Sequence, residues 1–262
     1  LRNGKKKVNI KMDSITEQKN AHIRAVTEGL LACAKKFDAE ELFPVMVTEA
    51  AEIVTTNPYA FSIATCLDRG TKADIIWTIP YDIKKDLGHL DPFQIYSMSL
   101  GELADLFDCL PRRPRYVNDA PKTVRDLTRI VVEECDGDAS LIWKGKRATE
   151  VKRTFLSIHG VGLGISNLAI LLIEQAFPIR FNDLDRPRMD IKPDVHTKRV
   201  LFRLGMSSGE DETAAIETTR RMNPSWPGEL DSSLWWIGRK FCRPNDPNCL
   251  ECPMSPICPR LS

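Results

Sequence analysis

The 262-residue sequence predicts an all-α protein. Three observations carry that expectation: apolar residues recur at three- and four-residue intervals, alternating strand-like stretches are scarce, and glycine, proline and asparagine interrupt the pattern between short periodic segments. In residues 16–37, Ile23, Val26, Leu30, Leu31 and Ala34 fall at helical spacing among charged neighbours, which predicts a first helix. Similar patterns predict helices over residues 39–55, 59–67, 72–78, 92–96, 100–107 and 120–134. Between them stand the stops Asn57-Pro58, Arg69-Gly70, Leu87-Gly88, the proline-bounded segment 111–114, and Gly137. One amphipathic segment leads into a glycine-rich turn after Leu156, and another, residues 165–177, leaves it. Residues 178–193, dense in charge and proline, read as a long loop. Asp194 stands where a helix should begin, and residues 223–228, with Pro224 and Pro227, read as a helix stop.

The length allows one large domain or two small ones. Lysine plus arginine (37) nearly balance aspartate plus glutamate (36), so any affinity for nucleic acid must rest on a local patch. Cys33, Cys66, Cys109 and Cys135 stand singly in apolar or helical stretches, which predicts reduced, buried thiols in an intracellular protein. Residues 1–14 carry Arg2, Lys5, Lys6, Lys7 and Lys11 with no apolar run behind them, and read as a flexible basic tail rather than a secretory signal. The longest apolar run, residues 168–173, falls far short of the roughly 20 residues that span a bilayer.

The most informative feature closes the chain. Cys242, Cys249, Cys252 and Cys258 form a C-x6-C-x2-C-x5-C array, compact enough for one metal centre. Zinc sites usually pair two short knuckles, whereas only Cys249 and Cys252 make one here, so the spacing favours an iron–sulfur cubane over zinc. A disulfide framework suits small secreted domains better than this chain.

Two further motifs are weaker. His159-Gly160-Val161-Gly162-Leu163-Gly164 turns sharply between two helices and presents backbone N–H groups at a helix start, a nest for an anion such as a phosphate. A plain packing turn explains the same glycines. Asp194 caps a helix, and the same carboxylate has chemical value, because N–H dipoles keep it ionised to stabilise positive charge or take a proton from water.

In their order along the chain these motifs resemble the endonuclease III superfamily of DNA glycosylases, helix-hairpin-helix enzymes whose hairpin precedes a Gly/Pro-rich loop and an aspartate. The resemblance covers about residues 58–259 and is carried by Gly160-Val161-Gly162 with Asn167, by Asp194 with His196, Arg199 and Val200, and by residues 235–242 leading into the cysteines, whose spacing is the family's own. It implies a two-lobed fold: a helical barrel over residues 53–177 containing the hairpin, and a cluster lobe of residues 1–52 and 178–262. It implies a [4Fe-4S] cluster on Cys242, Cys249, Cys252 and Cys258. DNA contacts are expected from His159, Gly160, Val161, Gly162, Gly164 and Arg243, and catalysis from Asp194. The implied partner is double-stranded DNA with a damaged, modified or mismatched base, bound by a monomer in the cytoplasm or nucleoid.

Departures from the family pattern shape the expected chemistry. Gly164 stands where bifunctional members carry the Schiff-base lysine, which implies a monofunctional glycosylase. A lyase using Lys192 or Lys198, or a non-catalytic damage-binding protein, is the alternative. Asp68 and Arg69 fall near the position that wedges into the gap left by a flipped base or lines its pocket, and Ala64 replaces the glutamate of the adenine-removing branch. Arg180, Arg186 and Arg188 of the long loop are set to reach phosphates, or are neutralised by Asp183, Asp185 and Asp190; Arg239, Lys240, Arg243 and Arg260 make a local basic patch.

Overall fold

The computed structural model describes residues 2–35 and 39–260, with side chains over residues 16–35 and 41–260. Among the described residues every regular element is helical. The thirteen α-helices there are α1 (Arg2–Ala34), α2 (Ala39–Leu42), α3 (Thr48–Thr56), α4 (Pro58–Leu67), α5 (Ala73–Leu87), α6 (Pro92–Ser97), α7 (Leu100–Cys109), α8 (Ala120–Cys135), α9 (Ala148–Leu156), α10 (Leu163–Ala176), α11 (Val195–Arg203), α12 (Glu212–Met222) and α13 (Asp231–Lys240). No helix among them is long and apolar enough to cross a membrane.

The chain divides into two compact units, Asp38–Leu184, and Leu1–Phe37 with Asp185–Ser262. These boundaries fall at 38 and 184, against the 53 and 177 read from the sequence, because α3 packs on α4 and α5 and Phe43 stacks edge-on against Trp77 with ring centres 4.6 Å apart.

In the continuous unit α4 is the central element. Asn57 accepts hydrogen bonds from the N–H groups of Tyr59 and Ala60, Pro58 fixes the first turn, and Tyr59 to Leu67 are buried on every face. Around it Phe43, Phe61, Trp77, Trp143 and Phe177 form a chain of ring contacts, and the Tyr59 hydroxyl meets Thr128 of α8 at 2.5 Å. Helix α5 runs through Pro80 to Leu87, beyond the stop expected at 78, because Ile76, Trp77, Ile79 and Ile83 bury one face across the proline and outweigh its missing N–H. Asp82, fully buried, receives both Nε and Nη2 of Arg112, which ties the proline-bounded segment to α5.

The discontinuous unit buries Val26 and Leu30 of α1 against Val200 and Leu201 of α11, Leu204 just after it, Leu234 and Ile237 of α13, and Met254. Gly29 makes room for Met254, whose Cε lies 3.1 Å from where a β-carbon would stand. Two expectations are corrected here and one in the other unit. Residues 2–14 continue α1 rather than forming a tail; no proline and only Gly4 interrupt them. Cys109 is exposed, since Leu103, Leu106 and Phe107 take the buried face of α7. The loop at 178–193 keeps one turn of helix, Arg186–Arg188.

Candidate functional site

Three groups of residues carry the chemistry the sequence singles out, and each is built inside one unit. In the continuous unit, α9 ends at Leu156 and the chain turns back into α10. Gly160 takes a φ of +77°, a left-handed conformation in which a β-carbon is strained, and the Val161 N–H closes the turn on the carbonyl of Ile158. Gly162, extended, precedes α10, and no side chain caps that helix. Gly162, Leu163 and Gly164 are exposed, and their N–H groups make no hydrogen bond among the described residues. The turn therefore presents free donors at a helix start, the arrangement that suits an anion.

Helix α8 holds this turn from behind. The His159 N–H donates to Asp126 Oδ2 at 2.9 Å, the Thr123 hydroxyl donates to the His159 carbonyl at 2.9 Å, and His159 Nε2 lies 3.1 Å from Asp119 Oδ1. The His159 contact holds the Asp119 carboxyl below the ordinary carboxylate range. Arg69 is brought against the turn as well: a β-carbon on Gly160 would stand 2.1 Å from its Nη1 and 2.5 Å from its Cζ. Its Cζ lies 5.2 Å from the Tyr116 ring centre, and Nη2 reaches the Thr123 hydroxyl at 3.4 Å. Asp68 ends α4, its N–H donating to the Thr65 carbonyl at 3.2 Å, and Ala64 is wholly buried.

In the discontinuous unit, Asp194 caps α11. One oxygen, Oδ1, accepts both the His196 and Thr197 N–H groups at 2.8 Å; the other makes no hydrogen bond among the described residues, and the side chain is half-buried. The cap thus uses one oxygen of the carboxylate and leaves the other outside it. The helix end is pinned by Arg199, whose guanidinium donates to the carbonyls of Cys242 (2.7 Å), Val195 (3.0 Å) and Gly238 (2.9 Å). Its Nη2 also lies 3.1 Å from His196 Nδ1. Gly238 allows α13 this close: a β-carbon there would stand 2.7 Å from that of His196.

The four cysteines follow α13. The Cys242 N–H donates to the Ile237 carbonyl at 2.7 Å. Arg203 spans their loop, giving Nη1 to the Arg243 carbonyl at 2.7 Å and to Cys242 Sγ at 3.7 Å, and Nη2 to the Pro244 carbonyl at 3.0 Å. Cys258 Sγ accepts the Arg260 N–H at 3.4 Å. All four thiols are half-buried, and burial, with smaller contributions from the other three cysteines, pushes Cys252 up to about 11. No three or more His, Cys, Asp or Glu side chains among the described residues converge tightly enough to hold a single metal ion. Cys242, Cys249, Cys252 and Cys258 lie close enough to act on one another electrostatically, and four sulfur donors are chemically the kind of set that suits an iron–sulfur cluster once deprotonated.

The expected basic contacts are mostly occupied locally. Arg243 turns back on its own loop, with Nε on the Asp246 carbonyl at 3.1 Å. Arg180 pairs with buried Glu174, Arg188 with Asp185, and Asp190 receives Arg220 at 2.7 Å twice. Arg186 lies over Trp226, and Arg239 over Trp235. Sequence reading missed Asp119, Thr123, Asp126 and Tyr116, which have no motif of their own and reach the hairpin region only through the fold.

No family model matches the chain. Two curated relatives do, both endonuclease III: that of Thermotoga maritima is 23% identical over 203 residues, covering 75% of this chain and 80% of the relative. The Bacillus subtilis protein is 24% identical over 213 residues, covering 79% and 83%. Among solved structures, a trapped endonuclease III–DNA covalent intermediate superposes with a TM-score of 0.59 at 18% identity, over 91% of this chain and 96% of that one. A thermostable thymine-DNA glycosylase superposes at 0.57 and 19% identity, over 92% and 97%. The likeness to these structures is one of fold.

Proposed function

We propose that the chain, which is similar in sequence to two endonuclease III proteins and in fold to an endonuclease III and a thymine-DNA glycosylase, is a DNA glycosylase of the monofunctional kind. Its partner is duplex DNA with a damaged, modified or mismatched base, which it meets inside the cell as a monomer. The observation that carries the chemistry is the divided Asp194 carboxylate, one oxygen committed to the α11 cap and the other without a hydrogen bond among the described residues. A flipped nucleotide loses its base when the C–N glycosidic bond breaks and the electron pair leaves with the base. The remaining sugar cation is stabilised by the negative Asp194, which also takes a proton from the water that adds to the sugar.

The hairpin supports the absence of a covalent step. Residues 157–167 contain no lysine, and Gly164 supplies no amine to attack the sugar. The free N–H groups of Gly162, Leu163 and Gly164 fit a backbone phosphate. Cys242, Cys249, Cys252 and Cys258 would hold a [4Fe-4S] cluster, which when bound cross-links their loop and offers no open coordination position for hydrolysis. The loop in turn braces α11 through Arg199 and Arg203.

A panel of duplexes, each with one modified or mismatched base, tests the reading. Base release with strands that break only on alkali or heat is the expected result. Tight binding of damaged duplex with no release from any member would replace the enzyme by a damage-binding protein.

A further inference from the structure

The hairpin has a puzzle in its charge. Residues 157–167, which would meet a polyanion, contain no lysine or arginine. A backbone nest gives direction to a phosphate contact but only partial charges. The nearest full positive charge comes from the end of α4, far earlier in the chain. Arg69 lays its guanidinium into the space that Gly160 leaves by lacking a β-carbon.

Arg69 is held there by shape more than by charge. Its face meets Tyr116, 5.2 Å from Cζ to ring centre, and one long hydrogen bond of 3.4 Å ties Nη2 to Thr123. Thr123 in turn donates to the carbonyl of His159, so a single hydroxyl joins Arg69 to the hairpin. No carboxylate forms an ion pair with Arg69 among the described residues, in contrast to Arg112, Arg180 and Arg220. Asp119 is within electrostatic reach, but its Oδ1 is engaged by His159. A guanidinium has five donors, and here most of them are unspent. Half-buried, stacked and set in place, it has little rotamer freedom left to lose on meeting a phosphate.

We propose that Arg69 is the phosphate-binding cation of this hairpin, supplied from the end of α4 in place of any charge in the hairpin itself. It acts at the hairpin turn, from its place against Gly160, on a backbone phosphate. The proposal deepens the reading of the chain as a duplex-binding glycosylase and rests on it.

The test is the salt dependence of binding to an undamaged fluorescent duplex, measured by anisotropy between about 50 and 200 mM potassium chloride. Each phosphate that the protein no longer neutralises lowers the slope of log K against log salt by about 0.9. Arg69→Met should lower the slope by that amount while keeping its helical circular dichroism. Arg69→Lys, which retains the charge, should keep the wild-type slope. If the methionine variant fails to fold, Arg69→Gln carries the same measurement. An unchanged slope in the neutral variant overturns the proposal, as does a lysine variant whose slope falls as far as that of the neutral one. Wild-type protein that binds no duplex at all overturns the DNA reading itself, and so separates the two failures.

Discussion

Replacing Gly160 by alanine puts two costs at one point, and the structure lets them be told apart. The left-handed φ of +77° costs an L-residue about 1–2 kcal/mol. The new methyl would also stand 2.1 Å from Arg69 Nη1, so the guanidinium must leave its place. Leaving forfeits its stacking on Tyr116, worth about 0.5–1 kcal/mol at such a site, and a long hydrogen bond of smaller value. The single variant should therefore be destabilised by about 2–3 kcal/mol, roughly 4–12 °C in melting temperature for a protein of this size. Arg69→Ala alone forfeits only the second part, about 1 kcal/mol. In the double variant Arg69 is already gone and the methyl meets no guanidinium. Its destabilisation should fall short of the sum of the singles by about 1 kcal/mol, a coupling that a double-mutant cycle resolves. Chemical denaturation followed by circular dichroism gives the four free energies. Strictly additive effects would refute the contact, and a stable Gly160→Ala would refute the strain as well.

Asp194→Asn should keep the α11 cap, since asparagine caps as well as aspartate, and leave DNA affinity unchanged. Base release should fall by roughly two orders of magnitude or more in single-turnover assays. Borohydride should trap no protein–DNA adduct with the wild type; an adduct would point to Lys192 or Lys198 as the amine. Native protein purified without oxygen should contain about four irons per chain and absorb broadly, and Cys252→Ser should lose iron before it loses hairpin-dependent DNA binding. Stoichiometric zinc without iron would reject the cluster. Gly238→Ala would push His196 away from α13 and so lower base release while affinity for DNA holds; equal release rates would show that the close approach does not position Asp194. The depressed Asp119 carboxyl adds stability that is complete above its unfolded value and disappears as pH falls through its lower folded value. Acid melting curves should therefore show the decline below the ordinary carboxylate range, and Asp119→Asn should remove that dependence.

What could be read from the sequence follows from how local each feature is. The helices with strong periodicity and clear caps, such as α4 behind Asn57-Pro58, were readable because their causes lie within a few residues. The likeness to endonuclease III was readable for the same reason: the cysteine spacing, Gly160-Val161-Gly162 and Asp194 are each local patterns. The continuation of α5 past Pro80 was not, since it depends on burial against α3 and α4. The helical state of residues 2–14 was missed because a charged, non-periodic stretch has no apolar face to announce it. The surroundings of the hairpin were hidden most completely. Asp126 and Asp119 reach His159 across 33 and 40 residues, and Arg69 reaches Gly160 from further still. Nor does the sequence show that Asp194 divides its two oxygens, so that a cap and a free carboxylate oxygen coexist on one side chain.

The discontinuous unit has a consequence for the order in which the protein is made. Its core joins Val26 and Leu30, near the start of the chain, to Leu234, Ile237 and Met254, near the end. During synthesis, at about 5–20 residues per second, α1 leaves the ribosome with its apolar face uncovered and waits for most of the remaining chain. The continuous unit between them has all its partners early and can close first. Its folding then takes those residues out of the free chain that separates α1 from its partners, which lowers the entropy cost of closing that loop. A nascent chain stalled just short of α13 should therefore hold a protease-resistant fragment beginning near residue 38, with α1 still open to cleavage.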